Sequence, residues 1–297
     1  MTTEQIKNLI VTILITNTAG KKGTVGEKGF SALAEVEYEN GTSKKILFDT
    51  GATGTSLLTN LDALDKDLND LDCVVFSHGH WDHVWGIPKV LPLIEKDTFL
   101  FCHPEAFDRK WRKDDEGGTE IKSIHHMISP EDLADKIAIQ TSAEPVELFP
   151  GVFSTGEIPR QNPHEVLSQG LSRIHTNGLS GPEIDQIPED LSLLFKLSDG
   201  NIVILTGCCH AGVVNTINYA REVTTFSGIA GLIGGLHLLD APPARLDFTV
   251  SELEKLAIGE IGACHCTGPR GFHTLKTAFP DQFRDVEVGT QFKYPVP

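Results

Sequence analysis

The sequence predicts an α/β fold in one large domain, and three observations carry that expectation. The chain has 297 residues, enough for one such domain or for two halves sharing a core. Apolar runs rich in Val, Ile, Leu and Thr recur along its whole length and alternate with helix-like stretches. No internal repeat and no linker interrupts them, so the pattern predicts one domain over 1–297, with two pseudo-equivalent αβ halves meeting near residue 145.

In order, residues 8–17, 30–38 and 44–49 read as strands, with Glu39-Asn40-Gly41-Thr42 as a hairpin turn. A short helix over 54–62 precedes a strand over 72–77, and a helix near 88–95 precedes a strand over 98–102. Residues 104–136 are polar and irregular, and read either as a solvated loop or as a rim over a site. Strand-like patterning resumes over 137–149 and 151–155 around Pro150-Gly151. Residues 157–190 are rich in Pro, Asn, Gly, His and Gln with little periodicity, as expected of a lid or binding loop. A hairpin over 191–197 and 201–206 turns at Asp199-Gly200, and a helix runs from His210 to Arg221. The strand Ile229–Ile233, a helix near 244–257, a strand over 258–264 and a helix near 268–278 complete the pattern.

The net charge of −16 argues against non-specific binding to nucleic acid or an anionic membrane. The run Leu9–Ile15 is too short to span a bilayer and lacks the flanks of a signal peptide, so a cytoplasmic protein is expected. In that compartment the six cysteines stay reduced. Cys73 and Cys102 sit in apolar runs as core residues. The other four flank histidines, in Cys208-Cys209-His210 and Cys264-His265-Cys266, without the spacing of a separate structural zinc site. The oligomeric state is left open.

The chemistry concentrates after the apolar run Cys73–Phe76, where His78, Gly79, His80, Trp81, Asp82 and His83 read H-x-H-x-D-H. Imidazole and carboxylate donors suit Zn²⁺, Mn²⁺ or Fe²⁺ better than Ca²⁺ or Mg²⁺. Residues two apart on an extended segment point the same way, so His78 and His80 can grip one ion. A turn at Gly79 and Trp81 can aim Asp82 and His83 at a second.

This motif resembles the hallmark of the metallo-β-lactamase superfamily. The resemblance implies a four-layer αββα sandwich of two mixed β-sheets flanked by helices, a metal site at one edge, one or two divalent ions (Zn, with Mn or Fe as alternatives) and mostly hydrolytic chemistry. It also implies further site residues. His265 matches the superfamily's last histidine and joins Asp82 and His83. Cys208, in Thr206-Gly207-Cys208, stands where an aspartate usually bridges the metals, and is either a thiolate ligand or a neutral thiol. Glu157, in Thr155-Gly156-Glu157-Ile158-Pro159-Arg160, stands where the middle histidine would be, so either it ligates through oxygen or His210 fills that place. Asp49, in Asp49-Thr50-Gly51-Ala52, is expected to support the histidines through hydrogen bonds. The same tetrapeptide is similar to the aspartic protease motif, which would leave the histidines unexplained.

His210, read at a helix start, is a ligand, a substrate contact, a general acid or a cap, with a pKa lowered by the helix terminus. His237, in Gly234-Gly235-Leu236-His237-Leu238, faces the cleft as substrate contact or proton donor, or is a surface residue. Asp82, His210 and His237 are the candidate catalytic groups. Arg160, Arg173 and Arg270 are candidates for a substrate phosphate. Taken together, T-G-E-I-P-R, T-G-C-C-H-A-G, G-G-L-H-L and H-C-T-G resemble one branch, the proteins similar to 7,8-dihydropterin-6-methyl-4-(β-D-ribofuranosyl)-aminobenzene-5′-phosphate synthase. Three readings follow: a hydrolase of a small ester, lactone or phosphoester, a transferase acting on a phosphorylated or pterin-like small molecule, and a non-catalytic metal- or ligand-binding protein.

Overall fold

Period-two burial explains the layers of this protein. In the computed structural model, which describes residues 4–94, 97–113, 119–121, 123–165, 174–178 and 181–296, the strands are β1 (Ile6–Ile15), β2 (Ser31–Tyr38), β3 (Ser43–Phe48), β4 (Cys73–Val75), β5 (Phe99–Cys102), β6 (Trp111–Lys113), β7 (Thr119–Ile121), β8 (Ala138–Thr141), β9 (Val146–Phe149), β10 (Val152–Ser154), β11 (Ile174–Gly178), β12 (Gly181–Ile184), β13 (Ser192–Lys196), β14 (Ile202–Thr206), β15 (Ile229–Gly235), β16 (Ile258–Cys264) and β17 (Gln291–Pro295). The α-helices are α1 (Thr55–Ala63), α2 (Trp81–Val84), α3 (Ile87–Val90), α4 (Pro130–Ala134), α5 (Val213–Val223), α6 (Pro243–Leu253) and α7 (Gly268–Ala278).

One sheet runs β17-β1-β2-β3-β4-β5-β8 and a second runs β16-β15-β14-β13-β10-β9. Both are mixed. The pairs β3·β4, β4·β5 and β5·β8 are parallel in the first sheet, as are β14·β15 and β15·β16 in the second. Ile46, Phe48, Cys73 and Val75 point into the core between the sheets, where they meet Leu193, Phe195, Val203 and Leu205. The intervening Leu47 and Val74 point outward against α1 and α3. Leu194, Ile202 and Ile204 point outward against α5, α6 and α7. A strand's alternate side chains thus serve two layers of core, which makes the αββα sandwich. Cys73 and Cys102 are buried in it, as expected.

Several element boundaries correct the sequence reading. The stretch 137–149 is two strands, β8 in the first sheet and β9 in the second. The expected helix near 88–95 is only α3 followed by a 3-10 turn over Leu91–Leu93. The terminal strand β17, which pairs with β1, is absent from that reading. Residues 104–136 and 157–190 are not both irregular: β6 and β7 from the first pair with β11 and β12 from the second in a third, antiparallel sheet, β12-β11-β6-β7. Short strands in polar sequence carry almost no periodic signal. Among the described residues, no helix is long and apolar enough to cross a membrane.

Candidate metal centre

Parallel strands place their carboxyl ends along one edge, where open α/β sheets build their sites. Asp49 follows β3, Ser77 and His78 follow β4, Cys208 and His210 follow β14, His237 follows β15, and His265 opens the turn after β16. The H-x-H-x-D-H turn is held down by backbone: the carbonyl of His83 accepts from Thr50 N–H and Thr50 Oγ1–H, and that of Asp82 accepts from Phe30 N–H. At Gly207 any side chain would collide with the Ser77 hydroxyl, which gives the T-G-C glycine its reason.

Hydrogen bonds fix which ring nitrogens face inward. Asp49 is fully buried in a left-handed conformation with φ 60°. It accepts from Ser77 N–H at 2.7 Å, from Ser77 Oγ–H at 2.6 Å and from His83 Nδ1–H at 2.6 Å. Its carboxylate is therefore engaged within the chain, and it does not serve as half of an aspartic protease dyad. Because the Ser77 proton goes to Asp49, the Ser77 oxygen accepts from His78 Nδ1–H at 2.9 Å. Asn17 Oδ1 accepts from His265 Nδ1–H at 3.1 Å. The Nε2 atoms of His78, His83 and His265 are left facing the interior.

There they meet other ring nitrogens and a thiol sulfur. His78 Nε2 lies 3.0 Å from His80 Nδ1 and 3.2 Å from His210 Nε2. His83 Nε2 lies 3.3 Å from His265 Nε2 and 3.2 Å from Cys208 Sγ. Lone pairs at such distances repel unless a proton or a cation lies between them. His80 Nε2, His210 Nδ1 and His237 Nδ1 are buried without a hydrogen-bond partner. Four sets bring their donor atoms within 4.8 Å: His78–His80–His210, His78–His83–Cys208, Cys208–His265–Cys266 and Asp82–His83–His265. Crowded imidazoles, one carboxylate and thiols fit a divalent ion. The residues present thus suit the metal that the sequence implies.

Burial dominates the electrostatics. It pushes His78 and His210 well below the usual imidazole range, His80 and His237 down to about 4, and His265 to about 3. His83 is the exception, because burial would lower it but the Asp49 carboxylate outweighs burial and raises it. Burial works to raise the Asp82 carboxyl, yet His83, His265, His80 and Lys28 hold it below the ordinary carboxylate range.

A pocket of about 620 Å³ opens onto this cluster. His80, Asp82, Cys208, His210, His237 and His265 line it, with Trp81, Leu239 and Phe272 as apolar wall and Lys28 at the side. Among the described residues, none from 104–136 or 157–190 lines it.

Four sequence expectations are revised by where these residues lie. Glu157 is exposed and joins none of the donor sets; His210 is the residue beside His78 and His80. His210 is not in a helix, since α5 begins at Val213 after the Gly212 cap, and its lowered pKa comes from burial rather than from a helix terminus. Arg160 does not reach the pocket. It donates to the carbonyls of His210, Gln186 and Ile187, pinning the loop that carries His210. Arg270 is exposed outside the pocket, and Arg173 lies outside the described residues.

Some residues were missed. Cys266, Lys28 and Asn17 belong to the site. Behind it, Lys110 Nζ pairs with Asp185 at 2.9 Å and Glu189 at 2.7 Å, all three buried. Glu189 also accepts from Gly79 N–H at 3.4 Å, so this triad braces the H-x-H turn. Only Cys266, next to His265, carried a sequence signal.

The metallo-beta-lactamase superfamily model matches residues 34–152. The 7,8-dihydropterin-6-methyl-4-(beta-D-ribofuranosyl)-aminobenzene-5′-phosphate synthase of Methanocaldococcus jannaschii is 29% identical over 274 residues, covering 90% of each chain. An uncharacterized protein of the same organism is 30% identical over 263 residues, 87% of this chain and 91% of its own. Among solved structures, a metal-dependent hydrolase of the beta-lactamase superfamily superimposes with a TM-score of 0.78 at 22% identity, over 97% of this chain and 99% of that one. A diphosphatase from the PhnP family does so at 0.54 and 16%, over 97% of both. The four-layer sandwich, the H-x-H-x-D-H turn at its strand ends and these likenesses agree that the chain belongs to the metallo-β-lactamase superfamily.

Proposed function

We propose that this protein is a metal-dependent hydrolase of a small-molecule ester or phosphoester. The observation that carries the reading is the convergence of two donor sets, His78–His80–His210 and Asp82–His83–His265, at the floor of one pocket. Cys208 lies between them as a thiolate ligand, and the donor chemistry favours Zn²⁺, with Fe²⁺ and Mn²⁺ as alternatives. When bound, such ions lower the pKa of water and polarise a carbonyl or phosphoryl oxygen. The chain supplies the rest. Asp49 and Ser77 orient His83 and His78. Asp82, ionised at neutral pH, orients the attacking water and accepts its proton. His237, kept neutral by burial, sits 4.3 Å from the His210 ring and offers a hydrogen bond to the substrate or leaving group. The apolar wall accepts the organic part of the substrate and excludes water. All six cysteines are free, which suits a cytoplasmic location.

A second reading is a transferase joining a pterin-like compound to a phosphorylated partner. It is favoured by the 29% identity to the pterin synthase over 90% of the chain. In it the same donors would orient a diphosphate leaving group. Chelated protein assayed on p-nitrophenyl esters and phosphates, with Zn²⁺, Mn²⁺ or Fe²⁺ restored, tests the first reading: turnover returning with the ion supports it. Product formed only when a dihydropterin diphosphate is present supports the second. Tight metal binding without either activity would overturn both in favour of a binding protein.

A further inference from the structure

We infer that Cys266, with Cys208 and His265, forms a thiolate limb of the centre that takes soft divalent ions such as Cd²⁺, in alternation with the Asp82–His83–His265 limb, which takes the oxygen-preferring Mn²⁺. The inference rests on the metal-centre reading proposed above and adds a ligand and a basis for metal choice.

The geometry is specific. The donor atoms of Cys208, His265 and Cys266 lie within 4.8 Å of one another. Adjacent residues of an extended chain point to opposite sides. Here His265 adopts φ 50°, a left-handed conformation unusual for a non-glycine residue. That turn brings the neighbouring side chains of His265 and Cys266 to one centre. The Cys266 Sγ–H donates to the Cys208 carbonyl at 3.4 Å, which fixes the sulfur against the T-G-C loop. Gly235 makes room for it: a Cβ at that position would stand 2.6 Å from Cys266 Sγ and 3.2 Å from Cys208 Cα. Cys208 and Cys266 both line the pocket, so an exchanging ion reaches them.

Alternation follows from His265. Its Nδ1 is engaged by Asn17, so Nε2 is its free donor. That atom lies 3.3 Å from His83 Nε2 and 3.9 Å from Asp82 Oδ2. One lone pair binds one ion, so His265 serves the thiolate limb or the carboxylate limb but not both. Soft ions favour two sulfurs and an imidazole, whereas Mn²⁺ favours the limb with carboxylate oxygen. Each thiol that ligates releases its proton to solvent.

The test uses the full-length metal-free protein, titrated separately with Cd²⁺ and Mn²⁺. Cd²⁺ is followed by its thiolate charge-transfer absorbance and Mn²⁺ by bound stoichiometry after dialysis. The wild type should show the Cd²⁺–thiolate band, reduced to about half in Cys266→Ser and absent in the Cys208→Ser/Cys266→Ser double variant, one sulfur being lost each time. Mn²⁺ stoichiometry should be unchanged in Cys266→Ser and fall in Asp82→Asn, which keeps the Cd²⁺ band. A full-strength band in Cys266→Ser, or equal loss of both ions from it, overturns the inference. Should the serine variant not fold, alkylation of the wild type decides: Cd²⁺ should protect Cys266 where Mn²⁺ does not, and equal labelling overturns the proposal. Cd²⁺ bound without a thiolate band defeats the thiolate limb alone. Failure of every ion to bind defeats the metal-centre reading with it.

Discussion

The first half of the chain places His78, His80, Asp82 and His83 on a single turn after β4. The second half places its donors at the ends of three parallel strands, with Cys208 and His210 after β14, His237 after β15, and His265 and Cys266 after β16. The first arrangement is set by local chain geometry and a few backbone hydrogen bonds. The second exists only because β14, β15 and β16 lie side by side. A contiguous motif keeps its donors together by chain geometry, with Thr50, Phe30 and Glu189 steadying the turn. A distributed one depends on every contact that holds its loops, such as Arg160 on the His210 carbonyl and Asp190 on Ala211 N–H.

Breaking either half should give the largest effect. His78→Ala and His210→Ala should each reduce metal-dependent turnover by more than the roughly 10–100-fold that follows loss of a ligand's outer partner. Steady-state rates with metal content measured alongside will check this. Full turnover in His78→Ala would rule out the metal mechanism, and full turnover in His210→Ala would remove the second half's claim on the first donor set.

Next in size is the brace joining the two halves. Lys110→Met leaves Asp185 and Glu189 buried without their cation. A loss of about 3–5 kcal/mol in unfolding free energy is expected, read from urea denaturation of the metal-free protein. Asp49→Asn should follow, with metal affinity or activity reduced roughly 10–100-fold and His83 no longer held by a charged partner. Glu157→Gln should be the smallest, within about 0.5 kcal/mol of wild-type stability and with unchanged metal content, because that side chain is exposed away from the donors.

Acid should expose the imbalance of the whole cluster. In metal-free protein His80 and His237 are held to about 4, so the unfolded chain takes up their protons first as pH falls below the ordinary 6.5. Their contribution to stability is present above 6.5 and is lost as pH drops toward about 4. His83 works in the opposite sense, its raised pKa giving stability that is lost as pH rises through that value. The depressed imidazoles outnumber it, so the denaturation midpoint should fall on acidification through this window. A flat profile would contradict the burial of the cluster.

The sequence by itself marked most of the strands and the position of the densest donor turn, and the resemblance its motifs carry implied the layers. Consecutive apolar residues in β1, β3, β4, β13 and β14 supply both faces of each strand, and each face lies in its own core. The helix α7 was also legible to its boundaries, because its apolar spacing lies within one continuous segment. Tertiary structure decided what proximity between distant segments decides. It put His210 rather than Glu157 beside His78, turned Cys266 toward Cys208 through a left-handed residue, and buried Lys110 between two carboxylates more than 70 residues further on. It also paired β6 and β7 with β11 and β12 in a third sheet. None of these leaves a periodic trace in the chain, since each depends on which loops face one another across the assembled sheets rather than on the order of residues within one of them.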